Sequence, residues 1–170
     1  MDLLRKTDFE LFSLEPKFRL DTEALNASFL KLQMLTHPDR FAAGTDSEKR
    51  LSLQFTTRIN EAYQRLKEPL SRGKYLCELK GASIQAETNT AMPHTFLMEQ
   101  MQWREALDEP NVDVPALKAE VLAKQAALLA SMEHQLDGEQ DAQAASACVR
   151  QLMFVEKFLQ TIQSLSTVHR

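Results

Sequence analysis

Glycine and proline are scarce in this chain, four and six residues in 170. A turn-dense β architecture needs both, so their scarcity predicts long regular elements. Runs of β-branched residues are nearly absent, whereas Leu, Ala, Gln, Glu and Lys, all good helix formers, dominate. The expected fold class is all-α. There are only two cysteines, Cys77 and Cys148, and neither belongs to a CxxC pair. That argues against a disulfide framework or a zinc site and for two buried structural thiols. No apolar run approaches the ~20 residues of a membrane span. Asp2, Asp8 and Glu10 interrupt the stretch where a signal peptide would carry its apolar core. A cytoplasmic protein with no membrane partner is expected.

Charge is modest, formally −4, which argues against nucleic acid as the main partner. It is uneven. Residues 1–76 hold 13 Lys+Arg against 11 Asp+Glu, and residues 77–170 hold 7 against 13. A mildly basic first part and an acidic second part fit either two units with different partners or a chance imbalance.

Helical signals run through the whole chain. A short one holds Phe9, Leu11, Phe12 and Leu14 and ends at Pro16. A second helix begins near Asp21, a good N-cap, with Leu25, Phe29, Leu32 and Leu35 as its buried stripe. It must end close to Pro38, since proline disfavours the helical conformation in the residue before it. After a loop from His37 to about Gly44, Thr45-Asp46-Ser47-Glu48 fits a capping box. Leu51, Phe55, Ile59, Ala62 and Leu66 then line one face. Pro69 opens a shorter helix that stops at Gly81. Residues 81–94 are small and polar and read as a linker. Beyond it lie helices over roughly 95–108, up to Gly138, and from about Glu139 to Leu165. Two turns between these helices imply a three-helix bundle.

The tripeptide His37-Pro38-Asp39 is weak as a string and specific in context. It falls between two amphipathic helices of similar length, where a hairpin tip exposes it. A rigid polar tip adds little stability and suits recognition: proline fixes the backbone, Asp39 offers an acceptor, and His37 offers a donor and an acceptor.

Short helix, long helix, HPD loop, long helix, short helix resembles a J-domain. The wording resembles the HscB family: His37-Pro38-Asp39-Arg40-Phe41, Ile59-Asn60-Glu61-Ala62-Tyr63, and Leu66 through Leu76. So do Phe96-Leu97-Met98-Glu99-Gln100 and Arg104-Glu105-Ala106-Leu107-Asp108-Glu109. The resemblance covers nearly the whole chain. It implies a co-chaperone of iron–sulfur cluster biogenesis, not an enzyme and without a cofactor, divided into a J-domain (1–80), a linker (81–94) and a scaffold-binding three-helix bundle (95–170). It implies that His37, Pro38, Asp39, Arg40 and Lys31 engage the ATPase chaperone HscA and stimulate its ATP hydrolysis. It implies that the bundle binds the cluster scaffold IscU and delivers it. The alternative within this frame is a general J-domain co-chaperone of a DnaK-type chaperone with other clients. Two departures stand out. Thr36 precedes the histidine where many J-domains carry tyrosine, and the preceding helix is poorly basic, so the docking face is either weak or supplied by Arg58, Arg65 and Lys74. The chain lacks the extra N-terminal cysteine pair of some, chiefly eukaryotic, relatives, which fits a bacterial form.

The helix near 95–108 carries two apolar stripes. At ~100° per residue, Phe96, Trp103 and Leu107 project to one side and Leu97, Met98 and Met101 to nearly the other. A helix cannot bury both against the same two neighbours. The aromatic stripe has more area to hide and is assigned to the core. Leu97, Met98 and Met101 then form an exposed patch, extended by Phe154, with Gln102, Arg104, Glu105 and Glu109 as the polar rim. Packing against another part of the chain is the competing reading of the patch; the resemblance places scaffold binding there. His94, His134 and His169 have no partner at metal-ligand spacing, so no metal is expected. An acid–base pair of His37 and Asp39 lacks a nucleophile, a phosphate loop and a concave pocket. A plain helical adaptor carrying HPD by accident is the third reading.

Overall fold

The computed structural model describes residues 2–84 and 92–168, and these are helical with no strand. The helices are α1 (Asp8–Leu11), α2 (Thr22–Thr36), α3 (Asp46–Lys67), α4 (Pro69–Leu79), α5 (His94–Asp108), α6 (Val114–Glu133) and α7 (Ala142–Val168). The chain divides into two compact units, Met1–Tyr75 and Leu76–Arg170. Residues 85–91 of the expected linker, and His169, lie outside the described residues. None of the described helices is long and apolar enough to cross a membrane.

In the first unit, α2 and α3 form a hairpin whose caps follow the sequence. The Asp21 side chain accepts from the Glu23 and Ala24 amides. The Thr45 hydroxyl accepts from the Glu48 amide while Glu48 Oε2 accepts from the Thr45 amide, a closed capping box. Each such cap contributes about 1 kcal/mol. Phe29 of α2 stacks on Tyr63 of α3 with centroids 4.0 Å apart. Leu25, Ile59, Ala62 and Leu66 are buried beneath them, together with Phe9, Phe12 and Phe18 from the N-terminal segment.

Three local expectations change. The first helix ends at Leu11, not Pro16, because Ser13 adopts a left-handed φ of 55° that no helix continues through. Leu35 is exposed, and Thr36 takes the buried position. Eleven helical residues after Leu25 return to within ~20° of it, whereas ten leave Leu35 ~80° off the stripe. Leu51 is exposed for the same reason, and Ser52 is buried in its place, one heptad before Ile59.

In the second unit, Leu117, Val121, Leu128 and Met132 of α6 are buried, as are Ala145, Val149, Leu152, Val155 and Ile162 of α7. The helix α4 ends at Gly81, whose φ of +82° is of the kind glycine adopts without cost, and the Ala82 amide closes on the Cys77 carbonyl at 2.8 Å. The reversal between α6 and α7 is not at Gly138. A π turn over His134–Gly138 carries buried Leu136, and the left-handed residue is Gln140, φ 55°. The side chain of Asp141 then accepts the Ala144 amide and starts α7 at Ala142 instead of Glu139.

Candidate functional site: a pinned HPD turn and an apolar patch

The HPD tripeptide begins as the last turn of α2 runs out. A helix leaves its final carbonyls without partners. Here α3 supplies them. The Thr36 carbonyl accepts the Ser52 hydroxyl at 2.7 Å and the Thr56 hydroxyl at 3.3 Å. The Thr36 hydroxyl itself donates to the Leu32 carbonyl at 2.8 Å. Arg40 donates at 3.5 Å to the Met34 carbonyl, a cation at the negative end of the helix. Beyond this anchor, Pro38–Phe41 form a 3₁₀ turn. Its first amide, that of Asp39, donates to His37 Nδ1 at 3.2 Å. A ring nitrogen that accepts carries no proton, so in this geometry the His37 proton sits on Nε2. The Asp39 carboxylate is 3.6 Å from the same Nδ1 and almost wholly exposed. His37, Asp39 and Arg40 are exposed and Pro38 is half-buried. Lys31, two turns back on α2, is exposed as well.

Backbone and hydroxyl contacts thus hold the turn from below while its polar side chains stay in solvent. The sequence did not single out Ser52 or Thr56. A hydroxyl residue at an apolar stripe position of α3 is the signal that marks them.

Arg58 and Arg65 are not a free docking face. Both are held by Asp8, which is buried: Arg58 approaches one carboxylate oxygen at 2.7 Å and Arg65 the other at 2.6 Å. Arg58 also donates to the Lys6 carbonyl at 2.8 Å, and the Asp8 amide donates to the Tyr75 hydroxyl at 2.9 Å. The charge that the sequence offered to a partner is spent tying the N-terminal segment to α3. Lys74 is exposed.

On α5 the two stripes separate. Phe96 and Trp103 are buried, with Trp103 edge-on to Phe96 and stacked on Phe158 of α7 at 5.7 Å. The indole N–H donates to Glu120 at 3.2 Å. Leu107 is half-buried. Leu97, Met98 and Met101 are exposed, at 42%, 44% and 54% of their full surface. Phe154 of α7 is exposed too and walls a groove of about 330 Å³ whose floor includes Trp103 and Phe158. Arg104 lines that groove, while Gln102, Glu105 and Glu109 lie exposed on α5 and its cap. The structure therefore gathers the apolar side chains and their polar neighbours on the α5 and α7 side of one unit.

His94, read as linker, is the first residue of α5, and His134 pairs with Glu139 at 3.1 Å. Among the described residues no group of three or more His, Cys, Asp or Glu side chains could hold a metal. Cys77 and Cys148 are buried free thiols. Burial pushes the Cys77 thiol up to about 11 and raises that of Cys148, against the opposing hydrogen bond from Cys148 to Gln135.

Comparison with known proteins places this arrangement. The family model described as the HSCB C-terminal oligomerisation domain matches residues 92–163. Co-chaperone protein HscB homologs of Burkholderia mallei and Burkholderia multivorans are 47% and 46% identical over 159 residues, covering 91% of this chain and 90% of each relative. The solved structure of chaperone HscB from Vibrio cholerae superposes with a TM-score of 0.83 at 33% identity, over 97% of this chain and 100% of that one. Human co-chaperone protein HscB gives a TM-score of 0.89 at 29% identity, over 95% of this chain and 83% of that one. A helical hairpin presenting a pinned HPD turn, joined in one chain to a helical unit with this likeness, belongs to the HscB family of J-domain co-chaperones.

Proposed function

We propose that this chain acts in the cytoplasm as the bridge between an HscA-type ATPase chaperone and an IscU-type iron–sulfur scaffold. Residues 1–80 act as the J-domain, 81–94 as the linker and 95–170 as the scaffold-binding bundle. The observation that carries the reading is the HPD turn, fixed at its base by Ser52 and Thr56 yet exposed at His37 and Asp39. A surface turn held in one conformation loses little entropy on binding, so a partner meets a prepared contact.

The mechanism is two coupled binding events. The patch of Leu97, Met98, Met101 and Phe154 holds the scaffold, and methionine suits an adaptable contact. Gln102, Arg104, Glu105 and Glu109 set its register as the polar rim. His37, Pro38, Asp39, Arg40 and Lys31 meet the ATPase chaperone and favour its hydrolysing state. Bond cleavage belongs to the partner; this chain contributes a difference in affinity between the partner's states, and the same difference ties scaffold delivery to hydrolysis.

The test is the steady-state ATPase rate of the HscA-type chaperone with the scaffold present, titrated with the wild type, His37→Gln and a Leu97/Met98/Met101→Ala variant. The wild type stimulates, His37→Gln does not, and the patch variant needs far more protein to reach the same rate. Equal titrations for wild type and patch variant sink the scaffold assignment. No stimulation by the wild type sinks the whole reading.

A further inference from the structure

The outward face of α2 is apolar. Taking Leu25 as the inward direction, Met34 lies ~180° away, with Ala27 and Leu30 within ~40° of it. All three are exposed; Met34 keeps 72% of its surface in solvent and Leu30 57%. Nothing in folding requires this, because the buried stripe of α2 runs through Leu25, Phe29, Leu32 and Thr36 on the other side. Charge on the helix is minimal: over Thr22–Thr36 it carries one cation, Lys31, and one anion, Glu23. Arg58 and Arg65 are committed to Asp8 and cannot lend their charge. Contiguous exposed apolar residues on a surface helix mark contact sites.

The stripe is continuous with the HPD turn. Gln33, Met34, His37 and Arg40 line one shallow hollow, and Arg40 reaches the Met34 carbonyl. A partner that touches His37 in that hollow covers Met34 as well.

We infer that the α2 stripe Ala27–Leu30–Met34 is an apolar docking surface for the same ATPase chaperone that reads the HPD turn, selecting a chaperone whose complementary face is apolar instead of acidic. The inference rests on the function proposed above and specifies its partner. Attraction between a basic helix and an acidic face is screened by salt, since the Debye length shrinks as ions are added, whereas apolar burial is not. Association through this stripe is therefore nearly independent of ionic strength, and a chaperone with an acidic docking face gains little from it.

The experiment is ATPase stimulation of the HscA-type chaperone by the full chain, titrated at ~50 and ~300 mM KCl. The half-maximal concentration for the wild type moves by less than about threefold between the two salts. A Leu30→Ser/Met34→Ser variant, whose exposed changes leave the helical spectrum unaltered, raises that concentration by about tenfold or more and reaches the same maximal rate at saturation. Met34→Arg with Leu30→Lys restores a steep salt dependence. The inference is overturned if the wild-type titration weakens by tenfold or more with salt, or if the double serine variant titrates like wild type while His37→Gln is inert. Loss of stimulation by the wild type itself overturns both this inference and the function beneath it. Sedimentation of wild type and double serine variant supplies the remaining outcome: a dimer that dissociates on substitution assigns the stripe to a second copy of this chain and overturns the proposal.

Discussion

The hydroxyl of Ser52 donates to the carbonyl of Thr36 at 2.7 Å, joining the buried face of α3 to the last residue of α2, immediately before the HPD turn. It lies out of solvent, and its partner is a helix-end carbonyl that has no intrahelical donor. Ser52→Ala leaves that carbonyl with the longer bond from Thr56 alone. The substitution lowers stability by about 1 kcal/mol in urea unfolding. It also weakens ATPase stimulation more than an equally destabilising change remote from the turn, such as Ile59→Val. Equal stimulation by the two variants would show that the bond holds the fold but not the turn.

Asp8 is a buried anion shared by two guanidinium groups. Removing one member of such a group leaves charge without its counterpart, which costs more than the pair contributes. Asp8→Asn is expected to lose about 3 kcal/mol in chemical denaturation. Arg65→Gln loses less, because Arg65 is partly exposed and solvent screens it. A neutral effect of Asp8→Asn would contradict this account of how the N-terminal segment is held.

Alkaline pH acts on the second unit through its thiols. Burial raises Cys77 from an ordinary 9 to about 11, and Cys148 moves the same way. The folded state thus holds these protons more tightly than the unfolded chain. The resulting stability is complete below pH 9 and is lost as pH rises from 9 through 11, by about 2 kcal/mol for Cys77. The urea midpoint should fall between pH 8 and 10.5, and Cys77→Ala should shrink that fall. Alkylation by iodoacetamide at pH 8 should be negligible until the chain unfolds. Rapid native labelling would refute the burial argument.

Phe154→Ala addresses the patch. The ring is exposed, so its loss changes the unfolding midpoint little. Binding to the IscU-type scaffold is expected to weaken by about tenfold or more if the ring is a central anchor. The chain has a single tryptophan, Trp103, on the floor of the groove that Phe154 walls. Its emission should shift on adding scaffold to the wild type. An unshifted emission with unchanged affinity for Phe154→Ala places the scaffold elsewhere.

Secondary structure, the helical hairpin and the position of the HPD turn were determined by the sequence alone. Their causes are local: Asp21 and Thr45 cap their helices, Pro38 and Pro69 interrupt them, and Gly81 supplies a left-handed stop. The burial of Phe96 and Trp103 against exposed Leu97, Met98 and Met101 was legible as well, because two apolar stripes cannot share one pair of neighbours. Tertiary structure alone decided what depends on distant partners. Arg58 and Arg65 read as available cations until Asp8, fifty and fifty-seven residues away, is found between them. Ser52 read as a flaw in an apolar stripe until the Thr36 carbonyl is found opposite it. Gly138 was the obvious reversal, yet the turn closes at Gln140 after a π turn that keeps Leu136 in the core. Periodicity reports which face of a helix is apolar. It carries no information about which polar group meets which across a packed interface, because that pairing is set by how the helices are placed and not by any helix alone.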